Sequence, residues 1–350
     1  MQMVPVYPKD SPAVLDGNAV ADASFVYVAP MHGITERAWR NAMAAHFRMP
    51  DAAVAPFIAT FAGERVKPRL LEDVSPVNEQ RIPLVPQALG KDPDELRVLL
   101  RAFKTLGYAR ADLNAGCPWP MVAKKGRGAG LPRNPDVFRR MLETGCNEMP
   151  GGFSVKVRLG YDAPDQLAAL MPVLNEFPLC EVTIHARTAK QLYAGAVDLE
   201  SFAGTAALCR HPVVYNGDLF TLEDYRRLRA RFPGVSRWMV GRGLLRDPFL
   251  QEDLAAGCRV PRDAARLAAF LDTYLDATLA RHGAPAPVLG RMKELWSYLC
   301  FSFARPERLW KTIRLCRTLD EYRRVVADAL GQFPREGGRP RWPYRGDCDA

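Results

Sequence analysis

No run of 18 apolar residues occurs anywhere in the 350-residue chain, so a membrane-spanning helix is not expected. No basic start followed by an apolar stretch opens it, and a secretory signal is not expected. Pro5, Pro8 and Pro12 interrupt residues 1–22, which read as a loose extension. None of the eight cysteines, at 117, 146, 180, 209, 258, 300, 316 and 348, stands in a CxxC pair, and no Cys/His cluster has zinc spacing. A disulfide framework is therefore not expected, and the reducing cytoplasm is the implied compartment. There is no GxGxxG after the first strand-like run, which weighs against a doubly wound dinucleotide-binding sheet. Internal repeats and low-complexity tracts are also missing.

What is present begins with a composition that is 48% hydrophobic, ample for a large core. The formal charge is +9, and it is unevenly placed. Residues 281–350 hold 14 Lys/Arg against 8 Asp/Glu, so +6 lies in the last fifth of the chain. A localised basic region suits a polyanion such as nucleic acid, although a solvated helical surface would look the same.

Short β-forming runs recur at Phe25–Ala29, Ala53–Ile58, Leu84–Leu89, Ala111–Asn114, Ser154–Val157, Glu181–Ile184, Val213–Tyr215 and Trp238–Val240. Helical patterns fall between them, at Glu36–Phe47, Pro93–Leu106, Pro135–Gly145, Gln166–Asn175, Leu199–Cys209 and Thr221–Arg231. The alternation predicts an α/β fold, a parallel (β/α)8 TIM barrel over residues 23–258, with the doubly wound sheet as the alternative. Beyond it the pattern turns wholly helical. Asp263–His282, Val288–Phe303 and Pro306–Leu330 predict a smaller helical bundle over 259–330, with a loop at Arg281–Pro287 and an irregular tail over 331–350.

Active sites of such barrels lie at the carboxyl ends of the strands. Those positions carry Pro30 and Met31, Gln87, Asn114 to Cys117, Lys156 to Arg158, His185 to Thr188, Asn216-Gly217-Asp218 and Gly241-Arg242-Gly243. The last two groups follow strands 7 and 8, where phosphate commonly binds, and offer small residues with approachable backbone N–H groups plus a cation. Lys156 and Arg158 share one face of their strand, opposite Val155 and Val157. A cation inside a barrel needs a partner. That partner is either a bound anionic flavin or the carboxylate of Asp112. Cys117 sits in a Gly116/Pro118 frame that forces an irregular backbone. An ordinary thiol stays protonated near neutrality and can serve as a proton donor. His185 would bond a ligand ring, and Tyr193 would stack on a base or simply pack.

Taken together, these residues resemble the tRNA-dihydrouridine synthase family. The strongest segment is Asp112-Leu-Asn-Ala-Gly-Cys-Pro118, continued by Val122, Gly126, Gly128, Leu131 and Pro135. Ala29-Pro-Met31, Gln87, Val155-Lys-Val-Arg158, His185-Ala-Arg-Thr188, Asn216-Gly-Asp218 and Gly241-Arg-Gly243 follow in matching order. The resemblance implies reduction of a tRNA uridine to 5,6-dihydrouridine. It implies FMN held by Pro30, Met31, Gln87, Lys156, His185, Asn216, Gly217, Asp218, Gly241 and Arg242. Cys117 would protonate C5. Asn114, Arg158, Arg187 and Tyr193 would contact the uridine or its RNA, NADPH would reduce the flavin, and the helical region would grip the tRNA. No protein partner is implied. Arg291-Met-Lys-Glu-Leu-Trp-Ser-Tyr-Leu299 is most similar to the C subgroup, whose bacterial members act near position 16 of the D-loop. The chain departs from the family at Ala186, where Gly is usual, and at Ala55-Pro-Phe-Ile-Ala59, where Thr-Glu and an Arg are common.

Arg305, Arg308, Lys311, Arg314 and Arg317 recur every three residues and form a slowly winding helical stripe, with Trp310 and Leu315 expected to pack inward. Of these, Arg308, Lys311 and Arg314 are the expected RNA contacts. Two rival functions share parts of the pattern. A dihydroorotate dehydrogenase-like FMN oxidoreductase would need no basic appendage. An RNA-binding module that had lost catalysis would need neither Cys117, Lys156 nor His185.

Overall fold

The eight expected strands close into a parallel barrel in the computed structural model, which describes residues 24–333. The strands are β1 (Phe25–Val28), β2 (Ala52–Val54), β3 (Ile58–Ala59), β4 (Leu84–Val85), β5 (Gln87–Leu89), β6 (Ala111–Ala115), β7 (Phe153–Gly160), β8 (Glu181–Thr188), β9 (Val213–Asn216) and β10 (Arg237–Val240). They pair in the order β3-β5-β6-β7-β8-β9-β10-β1-β2-β4. β2 and β3 are halves of the second expected strand, and β4 and β5 halves of the third. β2 pairs with β4 while β3 pairs with β5, so the ring shuts along this doubled seam. Each break has a cause. Pro56 lies between β2 and β3 and Pro86 between β4 and β5, and proline has no N–H for a ladder.

Side-chain alternation sorts the strands into two cores. One small cluster holds Tyr27, Ala29, Ala52, Val54, Val85, Val214 and Met239. Other strand residues, among them Val28, Leu113, Val155, Val157 and Ile184, join Trp39, Phe103, Phe138 and Phe202 of the helices in the large core. The helix Pro93–Thr105 shows how the layers form. The Asp92 side chain accepts from the Asp94 and Glu95 N–H groups, Pro93 sits in the first turn, and Leu96, Leu99, Leu100 and Phe103 face inward. Low in the barrel, Glu181 takes hydrogen bonds from Arg110 at 2.6 Å, Arg237 at 2.6 Å and the Tyr27 hydroxyl at 3.0 Å.

The C-terminal region is helical, with Ala264–His282, Pro285–Leu299, Pro306–Leu315 and Leu319–Leu330. It differs from the sequence reading in two places. The second helix begins inside the expected loop, because Pro285 is tolerated in a first turn whose N–H groups need no intrahelical partner. The expected single helix Pro306–Leu330 is two: it stops at Leu315, and Thr318 caps the next helix by accepting from the Glu321 N–H at 3.1 Å. Two short helices, Arg242–Arg246 and Leu250–Ala256, had no clear pattern in the sequence.

This region docks on the first β/α unit. Arg291 donates to the Gly33 carbonyl at 2.8 Å, Arg281 pairs with Glu36, and His46 Nε2 meets Thr273 Oγ1 at 2.7 Å. The Phe47 ring packs edge-on against Phe249 and Phe270, with centroids 4.9 and 5.6 Å away. The expected extension over 1–22 lies outside the described residues, as does the expected tail from residue 334 onward. No helix among the described residues is long and apolar enough to cross a membrane.

Candidate active site

The site is built from a chain of buried amides. Ser154 on β7 donates to one Asp112 oxygen on β6 at 2.7 Å, and Gln87 Nε2 on β5 donates to the other at 2.7 Å. Asn114 Nδ2 donates to Gln87 Oε1 at 2.8 Å. The Asn114 oxygen then accepts the backbone N–H groups of Gly116 at 3.2 Å and Cys117 at 2.8 Å. A carboxylate inside the barrel thus fixes, three links away, the loop that carries the thiol. Burial raises the Asp112 pKa to about 6 although Gln87 and Ser154 oppose it. Its role was not apparent from the sequence, where Asp112 opened the family-like segment and was otherwise a possible partner of Lys156. The two residues form no ion pair.

Cys117 is half-buried at the head of its loop. Gly128 lies so close that a Cβ there would be 2.9 Å from the Cys117 Cβ, and the Ala129 N–H bonds the Cys117 carbonyl at 2.9 Å. Burial pushes the thiol above its ordinary pKa, and the Trp119 N–H, Arg158 and Lys156 only partly offset it. The thiol is therefore protonated at neutral pH, as an acid requires.

Lys156 lies beside Asn114 and Thr183 in the strand register. It is half-buried and has no salt bridge or hydrogen bond among the described residues. Burial, with Arg158 nearby, lowers its pKa to about 8. His185, two register positions further on and opposite Arg158, is buried. Burial and the charges of Arg158, Lys156, Arg187 and Arg242 hold its imidazole far below the usual histidine range, so it is neutral. A β-bulge follows, since Arg158 pairs with His185 but Gly160 with Thr188. Bulges of this kind re-aim side chains beside active sites.

Arg158 is buried and committed. Its Nε donates to the Gly116 carbonyl at 3.0 Å, and Nη1 donates to Thr188 and Leu192 at 2.8 and 2.7 Å. Leu192 has φ of 50°, the one positive φ outside glycine among the described residues. That turn sets Tyr193 beneath two guanidiniums, Arg242 at 4.6 Å and Arg158 at 5.4 Å from its ring centre, and 6.0 Å from the His185 ring.

Arg187 departs from the sequence reading. It is fully buried, clasps both Asp218 oxygens at 2.8 and 2.7 Å and donates to the Gly195 carbonyl at 2.6 Å. Sealed inside, it has no surface to offer RNA, so it supports the loop instead. Asp218 also accepts from Arg242 at 2.6 Å. One carboxylate between two guanidiniums leaves a net positive charge where phosphate was expected. Asn216 is tied to the Met239 carbonyl at 2.9 Å. A Cβ on Gly217 would lie 2.4 Å from the hydroxyl of Tyr215 on the preceding strand, and one on Gly241 would lie 3.2 Å from Ala29 Cβ and 3.3 Å from Met31 Sδ, so the ends of β1 and β10 approach closely. Pro30 and Met31 stand half-buried on the first of them. The donor set fits FMN: an interior lysine without an ion-pair partner and a neutral imidazole for the ring, and a net cationic clasp beside glycines for the phosphate.

Arg308, Lys311 and Arg314 lie elsewhere, on helix Pro306–Leu315. All three are exposed and without an ion pair among the described residues. The stripe is shorter than its spacing implied, because Arg305 precedes the helix and Arg317 follows its end. Leu315 is 63% exposed, against the expectation that it packs inward, while Trp310 is half-buried against the core.

A parallel barrel with a thiol and a lysine without an ion-pair partner at its carboxyl rim defines a cofactor-dependent barrel oxidoreductase. The fold is shared with the old yellow enzyme homologue of Zymomonas mobilis, at a TM-score of 0.51 and 9% identity over 70% of this chain and 91% of that one. The chain belongs to the dihydrouridine synthase family, whose model matches residues 27–324. It is similar to the tRNA-dihydrouridine(16) synthase of Cupriavidus necator, 29% identical over 88% of this chain and 98% of that protein. It is also similar to that of Ralstonia nicotianae, 30% identical over 78% and 88% respectively. As a family member it is an oxidoreductase that reduces tRNA uridine to dihydrouridine, with FMN as cofactor and NAD(P)H as reductant.

Proposed function

We propose that this enzyme reduces the uridine at position 16 of the tRNA D-loop, as a C-subgroup member working in the cytoplasm with NADPH. The position in the names of the similar proteins supports the target. The observation that carries the chemistry is the placement of the Cys117 thiol, its loop held by Asn114, on the same rim as His185 and a lysine without an ion-pair partner; burial favours the protonated thiol.

FMN, once bound, would supply the hydride for uracil C6. Cys117 Sγ gives its proton to C5, and the thiolate left behind recovers a proton from solvent. Lys156 and His185 would hold the ring of the cofactor, the lysine through its charge and the histidine as a neutral hydrogen-bonding group. Gln87 acts from beneath, because both ends of its amide already serve Asp112 and Asn114. Pro30, Met31, Asn216, Gly217, Gly241 and Arg242 shape the cofactor cradle, and Asp218 keeps Arg242 aimed. Arg158 and Tyr193 wall the uridine. Residues 23–258 carry the reaction, and residues 259–330 grip the tRNA through Arg308, Lys311 and Arg314.

The test is to map dihydrouridine in tRNA from a strain lacking the gene. It should vanish at position 16 and return when purified protein and NADPH are added. Retention there with loss at another position would redirect the target but keep the chemistry. A small-molecule oxidoreductase would oxidise its reduced flavin no faster when RNA is present.

A further inference from the structure

Trp119 is the one exposed residue among the described Phe, Trp and Tyr residues, and it stands two positions from Cys117. Its side chain is 53% exposed, and Met121 beside it is 78% exposed. An indole left in water forgoes a large apolar burial, so its setting calls for an explanation. The setting is rigid. Pro118 and Pro120 flank it, fixing their own φ and pressing Trp119 into an extended conformation, with observed φ −54° and ψ 128°. Its carbonyl anchors the next turn by accepting from Val122 at 2.9 Å and Ala123 at 2.8 Å. Its N–H faces the Cys117 thiol. The backbone is thus tied to the acid while the ring stands free. Lys124 and Lys125 follow, both exposed and without an ion pair among the described residues.

We propose that Trp119, with Met121 beside it, is a stacking platform for the nucleotide that flanks the target uridine, and that Lys124 and Lys125 bear on its phosphates. Two residues of chain span at most about 7 Å, so the platform cannot stray far from Cys117. Enzymes that work on one base commonly read the nucleotides on either side of it. Every base has a face that an aromatic ring can meet, so the contact positions the strand without demanding a particular neighbour. A preset indole also costs little ordering on binding. The inference rests on the tRNA reading above.

The test compares Trp119→Ala and Trp119→Tyr using unmodified tRNA and NADPH. Trp119→Ala should raise the KM for tRNA by roughly 5- to 150-fold, with kcat much less affected. FMN content and NADPH-driven flavin reduction without RNA should match the wild type. Trp119→Tyr, which keeps a ring, should restore most of the lost affinity. tRNA should quench wild-type tryptophan fluorescence more than that of Trp119→Phe. An unchanged KM in Trp119→Ala, or a tyrosine variant as impaired as the alanine one, overturns the platform. Wild-type protein that forms no dihydrouridine overturns the functional reading and the platform together.

Discussion

Cys117 and Lys156 are tuned in opposite directions by the same burial. The acid must carry its proton, and a thiol held above its ordinary value keeps that proton further into alkaline pH. Turnover of tRNA, measured with pre-reduced enzyme, should therefore stay flat with rising pH and fall only above the ordinary thiol value of about 8.5. Cys117→Ala should lower dihydrouridine formation by about 10²–10⁴ while flavin reduction by NADPH persists. Near-normal RNA turnover by that variant would remove the thiol from the reaction. Lys156 sits at about 8 in the protein without flavin, and an anionic ligand favours its charged form. FMN affinity should then weaken above pH 8, by up to about tenfold per unit, and Lys156→Met should flatten that titration. Isothermal titration across pH 7 to 9.5 would decide it. The thiol was legible in the sequence because Gly116 and Pro118 make an irregular frame around it. Asp112 was not, since its value depends on Gln87 and Ser154 from neighbouring strands, which share no local signal. Arg187 misled for a related reason: a cation at a strand end reads as ligand-facing until Asp218 is seen to enclose it.

The strand elements were readable because each is a short β-rich run bounded by turns, and their breaks at Pro56 and Pro86 follow from the missing N–H. Less readable were the ends of β7 and β8, where polar residues continue a ladder that burial alone would have ended sooner. Those extra residues carry Arg158, His185 and the bulge. The amide chain that crosses β5, β6 and β7 makes a testable unit. Asp112→Ala leaves Gln87 Nε2 and Ser154 Oγ without their acceptor and should cost about 1–3 kcal/mol in urea unfolding. Asp112→Asn keeps an oxygen for Gln87 and offers an N–H to Ser154, so it should cost less. Equal losses in both variants would mean that charge rather than hydrogen bonding holds the unit. At the other end of the barrel, Glu181→Ala strands Arg110 beside Tyr27. Loss of about 3 kcal/mol of stability with unchanged kcat is expected, because that end is remote from the chemistry.

At the scale of the whole molecule, a catalytic rim and a basic helix must serve one RNA. The triple substitution Arg308→Ala, Lys311→Ala and Arg314→Ala should weaken tRNA binding and flatten its salt dependence, by roughly one unit of slope per lost phosphate contact. FMN content should not change, and an unaltered slope would assign these cations to solubility alone. Their spacing was visible in sequence, but the stop after Leu315 was not, because no proline or glycine marks it. The clasp between the first β/α unit and the last helices bears on how the chain is made. Helix Arg37–His46 rests on Ala264–His282, more than two hundred residues later. During synthesis the first unit must wait, its Phe47 ring covered by Phe249 but not yet by Phe270, until the final quarter has emerged. A chain stopped after residue 258 would present that apolar seam to its neighbours and clump, so the barrel should be recoverable in soluble form only when the distant helices are supplied with it.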